Sequence, residues 1–203
     1  MPEKKEPHIV VKDMTLAYGS NVVQRNVSFT VNRGDVFIIM GGSGCGKSTT
    51  MRGLTGLKPP SAGEILYDGV DFYGSIGAMD RIRRNLGVMF QSGALWSSMT
   101  LAENVALPLE QYTSLKASQI GKVVSLKLSL VGLSGFENYY PSQISGGMRK
   151  RVGVARAMSM DPEVLFFDEP SAGLDPVSAR RLDDLILQLS DSLKTTMVVV
   201  THE

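Results

Sequence analysis

Gly41-Gly42-Ser43-Gly44-Cys45-Gly46-Lys47-Ser48 spells a glycine, four residues, then Gly-Lys-Ser, directly after the apolar run Val36 to Met40. A match of this kind arises by chance in on the order of 1% of chains of this length. The chemistry it suits is the binding of a polyphosphate. Glycines let backbone N–H groups curl around phosphate oxygens, and a helix starting near Lys47 adds positive potential at its N-terminus. Lys47 would reach the terminal phosphates and Ser48 could ligate Mg²⁺. Cys45 fills one of the four variable positions and reads as a spectator rather than a nucleophile.

Hydrolysis needs a second set of groups to hold the metal and activate water. Val164-Leu165-Phe166-Phe167 is a continuous apolar run of the kind found in a strand covered on both faces, and it ends in Asp168-Glu169. In a parallel sheet, chemistry collects at the carboxyl ends of strands, so these carboxylates are expected beside the phosphate loop. Asp168 would bind Mg²⁺ through water, and Glu169 would orient or deprotonate the attacking water. His202 ends a third apolar strand, Met197 to Val200, at the same edge, where it would contact a γ-phosphate. Between Lys47 and Asp168 lie 121 steps of chain, more than one βα crossover requires, so a substantial insertion separates the two motifs. Inside it, Ile144-Ser145-Gly146-Gly147-Met148-Arg149-Lys150-Arg151 opens a helix with two glycines and three cations. Each glycine gives up roughly 1 kcal/mol, and cations sit badly at a helix N-terminus. Both penalties make sense if an anion docks at the N-cap Ser145 and the bare amides of Gly146 and Gly147.

The elements that must position these residues follow from pattern. Strands are expected at Ile9 to Val11 and Val27 to Val31, then a turn at Asn32-Arg33-Gly34-Asp35 before the Val36 strand. The helix from Lys47 should run to Lys58-Pro59-Pro60, and Gly63 to Phe72, with Asp68-Gly69 at its centre, reads as a hairpin. From about Gln91 to Pro162 the pattern turns helical, with a capping box at Thr100 and Glu103 and a stop or kink near Pro108. Ile120, Val123, Val124, Lys127 and Val131 keep helical spacing to Gly132, and a further helix spans Pro176 to about Ser192. The 203 residues carry 21 basic and 20 acidic side chains, net charge +1, which gives no support to a nucleic-acid wrapper or a polybasic membrane binder. Apolar runs are too short to span a membrane, which takes about 20 residues. The start, Met1 to Pro7, has no apolar core, so no secretory signal is expected. One cysteine and two histidines exclude an internal disulfide and a structural zinc site, and fit a reducing cytosol.

Taken together, these segments resemble the nucleotide-binding subunit of an ABC transporter nearly from end to end. Tyr18-Gly19 looks like the family's adenine-stacking loop, Gly41 to Thr49 its Walker A, Gln91 its Q-loop, and Ile144 to Met148 its signature. Val164 to Glu169 resembles its Walker B, Ser171 to Asp175 its D-loop and His202 its switch histidine. The resemblance implies an α/β P-loop NTPase fold with a RecA-like core, an antiparallel β subdomain and an inserted α-helical subdomain. It places core and β subdomain at 1–91 and 161–203 and the helical subdomain at 92–160, within one ABC ATPase domain. It implies ATP and Mg²⁺ as ligands. Glu169, His202 and Gln91 would be catalytic, and Ser48, Gln91 and Asp168 would face the metal. Tyr18, Gly41, Gly42, Ser43, Gly44, Cys45, Gly46, Lys47, Ser48, Thr49, Ser145, Gly146, Gly147 and Asp175 would face the nucleotide. The implied assembly is a head-to-tail dimer with ATP between Lys47 of one copy and Ser145 of the other, on the inner face of the membrane beneath a separate permease, with no nucleic acid expected.

Phe90-Gln91-Ser92-Gly93-Ala94-Leu95 and Ser145-Gly146-Gly147-Met148-Arg149 look most like the ATPases of Mla and Mce lipid-transport systems, where Met replaces the usual signature Gln. Met148 either loses an amide contact there or packs as a core residue. Family members usually continue for tens of residues past the switch histidine, so the C-terminal part of the usual fold is expected to be missing beyond Glu203. The reading that follows is an ATPase driving phospholipid transport. Its alternatives are an ABC importer ATPase for a polar solute such as an amino acid, and a non-transport ABC ATPase acting on DNA or ribosomes.

Overall fold

Alternating apolar residues in the first third build an antiparallel sheet, and the later continuous apolar runs build a parallel one. The computed structural model describes residues 6–202; the start read for a signal, residues 1–5, and Glu203 lie outside the described residues. β1 (Pro7–Tyr18) and β2 (Asn21–Asn32) form a long hairpin, far longer than the short runs that announce it, because the two strands pair along their whole length from Pro7↔Asn32 to Tyr18↔Asn21. The turn at Asn32 to Asp35 leads into β3 (Val36–Met40). After the glycine loop comes α1 (Lys47–Leu54), and then β4 (Ala62–Tyr67) and β5 (Val70–Asp71) complete the antiparallel order β2-β1-β4-β5. α1 stops at Leu54, short of the prolines expected to end it. Gly56 takes φ +79 there, and a Cβ on it would run into Arg83 and Phe72.

α2 (Ile76–Arg83) and β6 (Leu86–Met89) are two elements the sequence pattern does not announce. Ser75 caps α2 by accepting from the Ala78 N–H. β6 is short and contains Gly87, a poor strand former, yet a Cβ at that position would lie 2.2 Å from the Ala157 carbonyl. The glycine is there to let a helix approach the strand. α3 (Leu101–Tyr112) starts at the expected capping box, with Thr100 and Glu103 bonded reciprocally. It then continues through Pro108 to Tyr112, where a stop or kink was expected. Its apolar stripe of Leu101, Val105 and Leu109 stays buried. Burying Leu109 is worth about 1.5–3 kcal/mol, comparable to the proline penalty.

α4 (Ala117–Leu130) ends as expected at Gly132, which takes φ +68, while the Leu133 N–H reaches back to the Leu128 carbonyl. α5 (Gly146–Ala157), β7 (Val164–Asp168), α6 (Pro176–Leu193) and β8 (Thr196–Thr201) follow. β3, β8, β7 and β6 form an all-parallel sheet in that order. Its two faces serve two cores. Phe166, Val198 and Val200 pack with Ile9, Leu16, Met51 and Phe72 toward the antiparallel sheet. Leu165, Phe167 and Met197 pack with Leu128, Val152, Leu182 and Ile186 toward the helices. β3 is an edge strand, and Ile38 and Met40 are exposed on it. Among the described residues no helix is long and apolar enough to cross a membrane.

Where the two sheets meet, at the amino ends of β7 and β8, a charge network ties five segments together. His8 is 3% exposed, and its Nδ1 lies 2.7 Å from Thr196 Oγ1. Its Nε2 faces Asp68 at 3.8 Å and Glu163 at 3.7 Å. The Arg33 guanidinium bridges those two carboxylates at 2.6 and 3.0 Å and offsets part of their charge. Burial pushes the His8 pKa below its ordinary value of 6.5, with Arg33 acting in the same direction and Asp68 and Glu163 opposing it. A depressed folded pKa means that the unfolded chain takes up the proton first. Stability should therefore fall as pH drops through 6.5 toward the folded value. His8→Asn should flatten that part of the profile in thermal melts between roughly pH 7 and 5.5, and an identical pH slope in the variant would remove His8 from the account.

Candidate functional site

The four parallel strands end at one edge, and each hands its chain to a residue of the expected site. In register, Met40 pairs with Thr201, Asp168 with Val200 and Met89 with Phe167. The glycine loop, His202, Glu169 and Gln91 therefore leave the sheet side by side.

The loop after β3 curls through Gly44 at φ +80 and Gly46 at φ +97, the latter being the residue before α1. A Cβ on Gly46 would sit 2.6 Å from the Gln24 amide nitrogen and 2.8 Å from Val23. Gln24 Nε2 donates to the Cys45 carbonyl at 2.6 Å, so β2 holds the loop from outside. No motif marks Gln24, and only the fold reveals its part. Lys47, nearly buried, folds back over the loop and donates to the carbonyls of Gly41 at 2.7 Å and Gly42 at 3.0 Å. Cys45 is exposed and free. A cleft of ≈ 360 Å³ is lined by Val23, Ser43, Gly44, Gly46, Lys47, Ser48, Thr49 and Glu169. Backbone amides, an ammonium and hydroxyls on one side and a carboxylate on the other suit a polyphosphate and an attacking water.

Ser48 Oγ donates to Asp168 Oδ1 at 3.3 Å, which joins the start of α1 to the end of β7. Burial raises the Asp168 pKa, while the Ser48 hydrogen bond works against that. A hydroxyl and a carboxylate are hard oxygen donors, and this donor set fits Mg²⁺. Gln91 was also expected at the metal; its amide nitrogen donates to Glu169 Oε2 at 3.4 Å. The other Glu169 oxygen lies 3.4 Å from His202 Nδ1. Glu169 itself takes φ +46, a left-handed backbone held by its N–H donating to the Val200 carbonyl at 2.8 Å. The three residues expected to be catalytic thus converge on one carboxylate.

Tyr18 ends β1 beside Gly19 and is 46% exposed, not a core tyrosine. Its hydroxyl accepts from Arg52 of α1 at 3.2 Å, and Lys58 Nζ stands 4.2 Å from its ring centroid. These two cations lie outside any recognised motif. Arg52 is first among the causes that lower the phenol pKa.

Ser145 caps α5, its Oγ accepting from the Met148 N–H at 3.2 Å. Met148 is partly buried against the helical core. The structure does not bring this segment to the phosphate loop, because nothing from 144–148 lines the Lys47 cleft. Asp175 is likewise not brought there. Its Oδ1 accepts from the N–H groups of Val177 at 3.1 Å and Ser178 at 3.0 Å, capping α6. Those hydrogen bonds hold its pKa low.

Comparison with known proteins sets this geometry in context. The family model described as ABC transporter matches residues 24–172. The chain is 44% identical over 195 residues to the probable ribonucleotide transport ATP-binding protein mkl of Mycobacterium leprae, covering 96% of this chain and 56% of that protein. It is 40% identical over 198 residues to the intermembrane phospholipid transport system ATP-binding protein MlaF of Escherichia coli K12, covering 95% and 72%. The chain spans about half the length of the mycobacterial relatives it matches. Among solved structures, it resembles the dimeric post-hydrolysis state of the ATP-binding cassette MJ0796 bound to ADP and Pi. That likeness has a TM-score of 0.86 at 31% identity and covers 96% of this chain and 88% of that one.

The loop geometry makes a direct prediction. Gly46→Ala forces an L side chain into φ +97 against Gln24 and Val23. It should lower stability by about 1–2 kcal/mol from the backbone alone. Denaturant unfolding checks this, and an unchanged midpoint would mean that the loop does not need the left-handed turn.

Proposed function

The chain belongs to the ABC transporter family, and from that premise we propose that it binds MgATP at Gly41 to Thr49 and hydrolyses it to drive a separate membrane permease, with phospholipid as the cargo. The observation that carries this reading is the division of the phosphate-binding groups between two faces. The Lys47 cleft holds the loop amides and Glu169 but nothing of Ser145 to Met148. A second copy placed head to tail supplies that segment, and the dimeric MJ0796 cassette supports the arrangement.

In this mechanism the loop amides and Lys47 hold the phosphate tail, and the exposed face of Tyr18 stacks on the adenine. Ser48 and Asp168, together with the Gln91 amide oxygen, would hold Mg²⁺, and the ion would neutralise charge on the phosphate oxygens. Glu169 takes the proton of the attacking water. Gln91 and His202 each hold one of its oxygens and aim the carboxylate into the cleft. The Ser145 hydroxyl and the amides of Gly146 and Gly147 complete the site of the partner copy. Asp175 lies beside that contact, at the start of α6. The boundaries 92–160 for the helical subdomain suit a lever between this dimer and the permease. Trp96, just after Gln91, suits docking against the permease: it is 59% exposed, while buried Asn104 bonds both its N–H and its carbonyl. The protein then works in the cytoplasm, peripheral to the inner membrane face.

The phospholipid cargo rests on the likeness to MlaF and on Met148 in the signature. A polar solute is the second reading, favoured by the name of the mycobacterial relatives.

Two variants test the core of the proposal. Glu169→Gln should keep ATP binding and lower turnover by about 10²- to 10⁴-fold, the worth of a positioned base. Wild-type turnover in that variant would exclude Glu169 as the base. In the Glu169→Gln background ATP should drive dimers visible by light scattering, and Ser145→Arg should abolish them. Dimers that survive the arginine would contradict the two-copy site.

A further inference from the structure

Lys150 is a cation of α5 that the proposed chemistry leaves unused. It lies five residues past Ser145, but its side chain turns inward and is 6% exposed. Its Nζ donates to the carbonyls of Pro170 at 2.6 Å and Ala172 at 2.5 Å, and approaches the Glu169 carbonyl at 3.5 Å. Three N–H donors thus meet three acceptors in the four residues that begin at Glu169.

That segment cannot hold itself. Glu169 is in the left-handed region, Pro170 has no N–H, and Gly173 turns again at φ +74. The segment's own hydrogen bonds are Ala172 N–H to the Glu169 carbonyl at 3.2 Å and Leu174 N–H to the Ser171 carbonyl at 3.2 Å. The Pro170 and Ala172 carbonyls turn to the ammonium instead. A non-glycine residue keeps φ > 0 only where its surroundings over-determine it. The Val200 carbonyl restrains the strand side of Glu169, and Lys150 restrains the other side.

We infer that Lys150 is a positioning residue whose ammonium fixes the 169–172 backbone, so that the Glu169 carboxylate stays between Gln91 and His202. The inference rests on Glu169 being the base. Lys150 touches neither nucleotide nor water in this role; it acts through the backbone of the loop.

Lys150→Met keeps most of the side-chain volume and removes the donors. The measurement is steady-state ATP turnover and nucleotide affinity of the full-length protein, in the complex in which it is isolated. The expected result is a kcat about 10- to 100-fold lower, the effect of a misplaced catalytic group, with KM and Kd for ATP nearly unchanged. In the Glu169→Gln background the same substitution should change residual turnover by less than about twofold, because both variants disable one device. Lys150→Gln, which retains two N–H donors, should recover part of the rate. It is judged by the same split between kcat and Kd if the Met variant does not fold. A wild-type kcat in Lys150→Met overturns the inference. So does a loss of equal size in both backgrounds, or a rise in Kd that matches the fall in kcat/KM. Wild-type turnover of Glu169→Gln alone would remove the base itself. That is separable from an inactive Glu169→Gln beside a fully active Lys150→Met, which removes only the role of Lys150.

Discussion

The in-register pairing of four parallel strands is the constraint on which the site depends. Parallel strands all point one way, so their carboxyl ends share an edge, and here every end leads into a residue of the candidate site. The pairs Met40↔Thr201 and Asp168↔Val200 place the glycine loop, His202 and Glu169 within reach of one another although 160 residues separate the first from the last. A parallel sheet earns this placement only if both faces are covered. The alternation of Phe166 toward the antiparallel sheet and Phe167 toward the helices shows both coverings at adjacent residues.

At that edge the loops adopt backbone conformations they would not hold alone, and α5 supplies much of the restraint. Glu169 and Ala94 are both non-glycine residues in the left-handed region. Arg156 donates to the carbonyls of Gly93 at 2.8 Å and Ala94 at 2.7 Å, steadying the chain just after Gln91. A Cβ on Gly153 would lie 3.1 Å from Gly93, so two glycines let helix and loop touch. Lys150 does for the segment after Glu169 what Arg156 does for the segment after Gln91. One helix therefore steadies both loops whose side chains meet at the Glu169 carboxylate, while its N-cap, Ser145, lies outside the phosphate cleft.

The opposite ends of the same strands do a different job. There His8, Arg33, Asp68, Glu163 and Thr196 join the two sheets through a half-exposed charge network around a buried imidazole. Exposed ion pairs are individually weak. The apolar contact of Phe166, Val198 and Val200 with the antiparallel sheet carries the joint, and the charges add register and a dependence on pH.

Local chemistry was legible in the residues themselves. A glycine loop before Lys47-Ser48, an acidic pair ending an apolar run, a capping box at Thr100 and a glycine stop at Gly132 each act within a few residues of chain, where pattern and structure are the same thing. Elements that depend on distant partners were not legible. β6 exists because Ala157 packs onto Gly87, α1 ends early because Gly56 lies under Arg83 and Phe72, and α3 passes through Pro108 because its buried stripe continues. The same division runs through the site. Sequence determined which groups could bind phosphate and activate water. Only the tertiary structure decided that Gln91 and His202 share the Glu169 carboxylate, that Asp175 spends its oxygen on a helix cap and that Lys150 faces inward, because each depends on where a remote strand or helix puts a carbonyl, an amide or a void.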